Sequence, residues 1–391
     1  SAATMAGMRL TLPATLVLQV ALAAQTFVVD AANGPGTNFT SLPSAAAAVP
    51  DGAVLLVRQG AYAGFTISQK GLTVLADTGT TISGTIEVTN TASHQPFVLR
   101  NVSWPAPPAN APCVRLSSCA GFVLLEGLSN TGWPSTIPVE PRPLDAANCS
   151  QFVLRESTLS GWVSLDGIVG VIERCHLIGT SASGFLLPRG TSPGMSVSAS
   201  NLQIVESLAR GGSGTAVMPG FLRASDGIDL QSTSLRLLAS TVIAGTDGTG
   251  QQYSISGIGS NARIDSLTSL QGRVAIATQF LTMPRLTALG APVGGTLQAT
   301  VRTENGDLVV LAVGLPGAPR ALRGFQDRFW IDPVVHVYQA IGVQSAGVPI
   351  TGSIAVPLAP GLVGVQLVWH GACFGPVTGQ QNTNPGISLV H

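Results

Sequence analysis

The chain has 391 residues with 19 basic and 19 acidic side chains, so its formal net charge is zero, and charged residues make up only 10% of it. The single lysine, Lys70, and scattered arginines form no basic stretch, which argues against a nucleic-acid groove or an anionic-membrane patch. Hydrophobic residues reach 45%, with 46 glycines and 26 prolines but only 5% aromatics, a composition for many short strands and frequent turns rather than long helices.

The first predicted element is a leader. Arg9 precedes an apolar run from Leu10 to Leu22, and Ala21-Leu22-Ala23 has the small residues of a cleavage site, the pattern of a secretory signal peptide over residues 1–24. The expectation is a bacterial protein that is secreted or held at the cell surface and opens near Gln25. No later run reaches the roughly 18 apolar residues of a membrane span. The five cysteines then meet an oxidising compartment, where an odd count leaves one without an intramolecular partner.

A strand is expected over Thr26 to Asp30, followed by a Gly/Asn/Pro turn and a short Ala-rich helix over Ala45 to Val49, capped by Ser44. Pro50, Asp51 and Gly52 stop that helix. Strands follow at Val54 to Val57, Phe65 to Ile67 and Leu72 to Leu75, with Gly60, Ala61 and Tyr62 at a corner.

A degenerate repeat then occupies the middle of the chain. Its copies begin at Val98, Val123, Val153, Val171, Ile204, Leu237 and Ile264, spaced as coils of three short strands with loops inserted at corners. Each unit alone cannot bury its apolar row, but stacked about 4.8 Å apart the units share one core. The alternative, an antiparallel sandwich, is disfavoured by scarce Asn-Gly and Asp-Gly hairpin signals. The repeat ends near Arg285. Beyond it, strands are expected at 296–302, 308–313, 336–339, 353–356 and 363–369, with turns at Glu304–Asp307 and Leu315–Pro319. That part reads as a small β-sandwich.

The opening segment, from Phe39-Thr40-Ser41-Leu42 through Asp51-Gly52 and Val54 to Gly60-Ala61-Tyr62 and Phe65-Thr66-Ile67, resembles the first coils of pectin-lyase-like proteins. The resemblance implies a right-handed parallel β-helix whose end is covered by a short helix. It says little about activity, since one fold hosts many functions. The final stretch, from Val356 to Val390, resembles C-terminal domains of secreted proteins from environmental bacteria. The expected fold is therefore all-β: a leader over 1–24, a right-handed parallel β-helix with a short N-terminal capping helix over 25–284, and a small β-sandwich over 285–391.

Candidate chemistry is sparse. Asp226-Gly227-Ile228-Asp229 resembles an element of pectin-hydrolysing β-helices, but no Asp-Asp pair, Gly-His-Gly or Arg-x-Lys follows within the repeat. With Glu173 and Glu206, these aspartates are the candidate catalytic carboxylates, because glycoside hydrolysis needs two flanking the bond. Trp104, Trp133 and Trp162 each follow a repeat element. They are either a stacking row for sugar rings or packing at coil corners. Cys119 and Cys149 precede equivalent Phe-Val-Leu elements and are expected to stack. There they form a disulfide or an unbonded ladder, with a Cys113–Cys119 bridge as a third arrangement. No zinc or calcium pattern and no organic cofactor is implied.

Three functions fit: a non-catalytic β-helix with a surface, matrix or carbohydrate-contacting role that self-associates, with polysaccharide or a cell-surface component as partner; a polysaccharide-degrading hydrolase or lyase using one face of the helix; and a binding module anchored by its sandwich.

Overall fold

The computed structural model describes residues 25–106, 108, 111–130, 141–181, 191–214, 224–246, 252–376 and 379–391. The expected leader (1–24) and Trp133 lie outside them. Two compact units are present, one spanning Gln25–Leu281 and the other including Thr282–His391.

The first unit is a parallel β-helix. A coil is seen in Leu144–Ala147, Phe152–Arg155 and Thr158–Ser160, three short strands on three faces, called faces 1, 2 and 3 here. Face 1 is a nine-stranded sheet; faces 2 and 3 belong to a bent eighteen-stranded one. All these ladders are parallel, and each strand pairs with its equivalents in the coils before and after. The N-terminal helix runs from Leu42 to Ala48. Its cap is Ser41, whose hydroxyl accepts from Ser44 N–H, rather than Ser44 itself; Pro43 fits the first turn because it needs no N–H there.

The core follows from the two-residue alternation of side chains. Leu99, Leu125, Leu154, Ile172, Ile204, Leu237 and Ile264 are cross-coil neighbours and all point inward. The sequence alignment slips here by one residue. Val98, Leu124, Val153, Val171, Gln203 and Arg236 form the true adjacent row, so Val153 and Ile204 lie on opposite sides of the sheet, as a one-residue slip dictates. Gly170 pairs with Phe152, and a Cβ there would lie 3.0 Å from the Phe152 ring, so the small residue makes room for the large one.

Two columns of left-handed turn residues close the coils. Gln69, Asn90, Ser118, Asn148, Gly167, Ala199, Ser232 and Gly259 join face 1 to face 2, and Asn101, Gly127, Glu156, Arg174, Glu206 and Ala239 join face 2 to face 3, all with positive φ. At such a turn the next N–H leaves the strand ladder and needs a partner. A side chain in the following coil supplies it: Ile168 N–H donates to Ser200 Oγ, Ser200 N–H to Thr233 Oγ1 and Thr233 N–H to Ser260 Oγ. The second column repeats this with Leu128 to Ser157, Cys175 to Ser207, Ser207 to Ser240 and Ser240 to Thr268.

The second unit is antiparallel. One sheet holds Arg285–Leu289, Thr296–Arg302 and Ile350–Ala355; the other holds Leu308–Ala321, Arg328–Val343, Gln366–Gly375, Gly379–Asn382 and Gly386–Leu389. Leu286, Leu297 and Val301 share one core with Val309, Leu311, Leu367 and Trp369. The expected turn at Leu315–Pro319 is instead part of a strand. Register shifts around Pro316, which lacks an N–H for the ladder, absorb the prolines, and the chain reverses at Leu322–Asp327 with Gly324 at φ +89°. Asn384 stands in for a strand, its amide accepting from Leu286 N–H and donating to Leu286 O.

Candidate functional site

Outward positions of the β-helix separate into different surfaces. On face 2, Arg100, Glu126, Arg155 and Glu173 are cross-coil neighbours in one row of alternating charge. Arg155 Nε donates to Glu126 Oε2 at 2.7 Å, and Arg100 Nε lies 3.0 Å from Glu126 Oε1. Glu126, Arg155 and Glu173 are all buried, with Glu173 only 1% exposed. Glu173 is held by Arg174, whose other amine bonds Glu156 at 2.8 Å; Glu173 Oε2 has no hydrogen-bond partner among the described residues. Burial pushes the Glu173 carboxyl up to about 7 against the pull of Arg174 and Arg155, and the Glu206 and Glu156 charges add to the rise. Glu206 occupies the next left-handed turn, within electrostatic reach of Arg174.

Asp226 and Asp229 are elsewhere, on face 1. Ser256 Oγ donates to Asp226 Oδ2 at 2.5 Å and lies 3.3 Å from Asp229 Oδ1. Tyr253 N–H donates to Asp226 Oδ1 at 3.2 Å. The Asp226 carboxyl is raised above its ordinary value, mainly by burial, against these hydrogen bonds and with the Asp229 charge adding. The four candidate carboxylates thus form two separate pairs rather than one cluster. The first pair centres on a side chain that a polymer cannot reach.

Of the candidate tryptophans, Trp104 and Trp162 are among the described residues, and neither offers an open ring face. Trp104 is 1% exposed and its Nε1 donates to Gly84 O at 3.0 Å, so it packs inside the coil. Trp162 is half-buried, and the Arg142 guanidinium lies 4.5 Å from its ring centroid, covering one face by a cation–π contact. Cys119 and Cys149 do stack, one residue after the left-handed Ser118 and Asn148. Both are buried free thiols in the column that Thr91, Ser200 and Thr233 occupy in other coils. Cys175 fills the same role in the second column.

The most regular exposed surface is the outside of face 1. In register across successive coils stand Arg115, Asp145, Ser164, Ser196, Asp229 and Ser256 in one row, and Ser117, Ala147, Asp166, Ser198 and Gln231 in the other. Apart from the long Arg115 and the apolar Ala147 these side chains are polar and mostly short, and all are at least partly exposed, while the alternate residues are core. Ser198 Oγ donates to Asp166 Oδ1 at 2.5 Å. The signal is present in the sequence as strict alternation in Val163-Ser164-Leu165-Asp166, Met195-Ser196-Val197-Ser198 and Ile228-Asp229-Leu230-Gln231, where small polar residues carry no catalytic motif. Among the described residues no group of three or more His, Cys, Asp or Glu side chains is placed to hold a metal ion, and no helix is long and apolar enough to cross a membrane.

No protein-family model matches the chain, and no curated protein matches it. Among solved structures, the chain is similar to the enzymatically active domain of tailspike protein 2 from bacteriophage CBA120, at 12% identity over 90% of this chain and 73% of that one, with a TM-score of 0.32.

Proposed function

We propose that the protein is a secreted, non-catalytic β-helix that holds a polysaccharide or cell-surface glycan along face 1. The observation that carries this reading is the pair of registered polar rows on that face. Hydroxyl, carboxylate and amide groups recur once per coil, about 4.8 Å apart, a spacing on the scale of a sugar ring. Short side chains lose little rotamer freedom on binding, and many weak contacts along one polymer reinforce each other. The signal-peptide pattern and the opening-coil resemblance to pectin-lyase-like proteins support an extracellular setting.

A glycan array on the full chain tests the proposal. Ser196→Arg with Ser198→Arg is expected to weaken binding at least tenfold, while Thr241→Arg on face 3 leaves it unchanged. Equal binding by all three proteins would sink the assignment to face 1.

A second reading, polysaccharide cleavage, is favoured by one detail: Asp226 and Asp229 both reach the Ser256 hydroxyl, which brings two carboxylates as near as a glycosidase pair. That hydroxyl fills the gap where a reacting sugar would sit, which is why binding is preferred. Release of reducing ends that disappears in Asp229→Asn would reverse the order.

A further inference from the structure

We propose that Cys119 and Cys149 are the site of a disulfide that staples two consecutive coils of the β-helix. The two residues occupy the same position in neighbouring turns, each following a left-handed residue, and Ser150 N–H donates to Cys119 O at 3.2 Å across that junction. Parallel strands at this spacing place Cα atoms about 4.8 Å apart, inside the range a disulfide spans. Elsewhere in the column a hydroxyl suffices: Ser200, Thr233 and Ser260 each accept an N–H from the coil before. Two adjacent thiols are therefore more than the column requires.

The thiols are also in contact. A hydrogen bond from the Cys149 thiol, against the opposing effect of burial, lowers the Cys119 thiol to about 7, and the same contact raises Cys149. This polarity suits stepwise exchange with a small-molecule disulfide such as oxidised glutathione. The Cys119 thiolate attacks one sulfur, breaking its S–S bond and releasing a glutathione thiolate. The Cys149 thiol then loses its proton and attacks Cys119 Sγ, expelling the second glutathione. Two electrons pass to the oxidant, and two protons leave the protein. Cys113 and Cys175 are also buried free thiols, and Cys373 is buried in the C-terminal unit. Burial pushes the Cys113 and Cys175 thiols up to about 12, which keeps both unreactive.

The test is refolding of the full chain with oxidised and reduced glutathione, so that oxidant is present while the two coils form and bring the thiols into contact. Thiol titration in denaturant and peptide mapping without reductant then read the product. The expected result is loss of two of the five thiols, a Cys119–Cys149 linked peptide, and a melting temperature several degrees higher than after reduction. Cys119→Ser and Cys149→Ser should fold, since serine is native to this column, and should lose that oxidation-dependent rise. Cys175→Ser should keep it. Retention of all five thiols, or a linkage through any other pair, would overturn the proposal.

Discussion

The β-helix and the antiparallel unit solve the same problem, the satisfaction of buried backbone groups, over different distances. In the helix every partner lies one coil away: strand to strand, charge to charge, turn N–H to hydroxyl. In the C-terminal unit the decisive contacts join the two ends of the segment. Asn384 closes on Leu286, and Ser388 Oγ accepts from Trp369 Nε1 while donating to Leu289 O. The first is a nearest-neighbour stack whose stability adds coil by coil; the second is an all-or-none closure. Damage to one coil should therefore remain local, and damage to the closure should not.

The largest test is Glu126→Ala. It takes the carboxylate from between Arg100 and Arg155 and should cost about 3–5 kcal/mol, as breaking a buried pair does. Calorimetry should show the β-helix transition lowered and that of the C-terminal unit unmoved. Next comes pH. Glu173 binds its proton more tightly in the folded chain than in the unfolded one, where a glutamate titrates near 4.3. Its contribution is thus fully present below that value and is lost as pH rises through about 7, by about 4 kcal/mol. Thermal melts of Glu173→Gln against the parent between pH 4 and 8 should lack that loss; identical slopes would contradict it.

Asn384→Ala removes both bonds to Leu286 and should cost about 2–3 kcal/mol, all of it in the C-terminal transition. Ser207→Ala strands the Cys175 N–H and should cost about 1–2 kcal/mol in the helix, with faster amide exchange confined to that turn and its neighbours. The smallest effect has the opposite sign. Ala199→Gly relieves a left-handed alanine at φ 47° and should stabilise the helix by about 0.5–1 kcal/mol in urea titrations.

The helix was readable in the sequence because its core obeys a short period: Leu154, Ile172 and Ile204 recur with turn residues between them. Its register was not, since Val153-Leu154 and Ile204-Val205 offer two adjacent apolar residues and only pairing decides which one faces inward. Glu173 and Glu206 stand among the four candidate carboxylates in the sequence; the coil geometry puts Glu173 in an ion-pair row and Glu206 at the turn beside it. Cys119 and Cys149 share one stack, but their kinship with Ser200 and Thr233 is hidden in the sequence. It depends on the left-handed turn before each of them, which Ser118, Asn148 and Ala199 share without any common residue type. In the C-terminal unit the Pro-containing strand was misread as a turn, because proline's local preference is overridden there by register shifts along the strand.

The side-chain bonds of the turns run one way, against backbone bonds such as Ser234 N–H to Ser200 O that run the other. Each freed N–H is answered from the coil that follows it, while each answering hydroxyl in Ser200, Ser207 and Ser240 also donates to a carbonyl two residues earlier in its own coil. The stack therefore has a direction. Within this set, trimming from the front leaves hydroxyls that are already occupied, whereas trimming from the back leaves bare turn donors. A growing chain leaving the ribosome meets the same asymmetry, since every coil stays incomplete until the next has emerged.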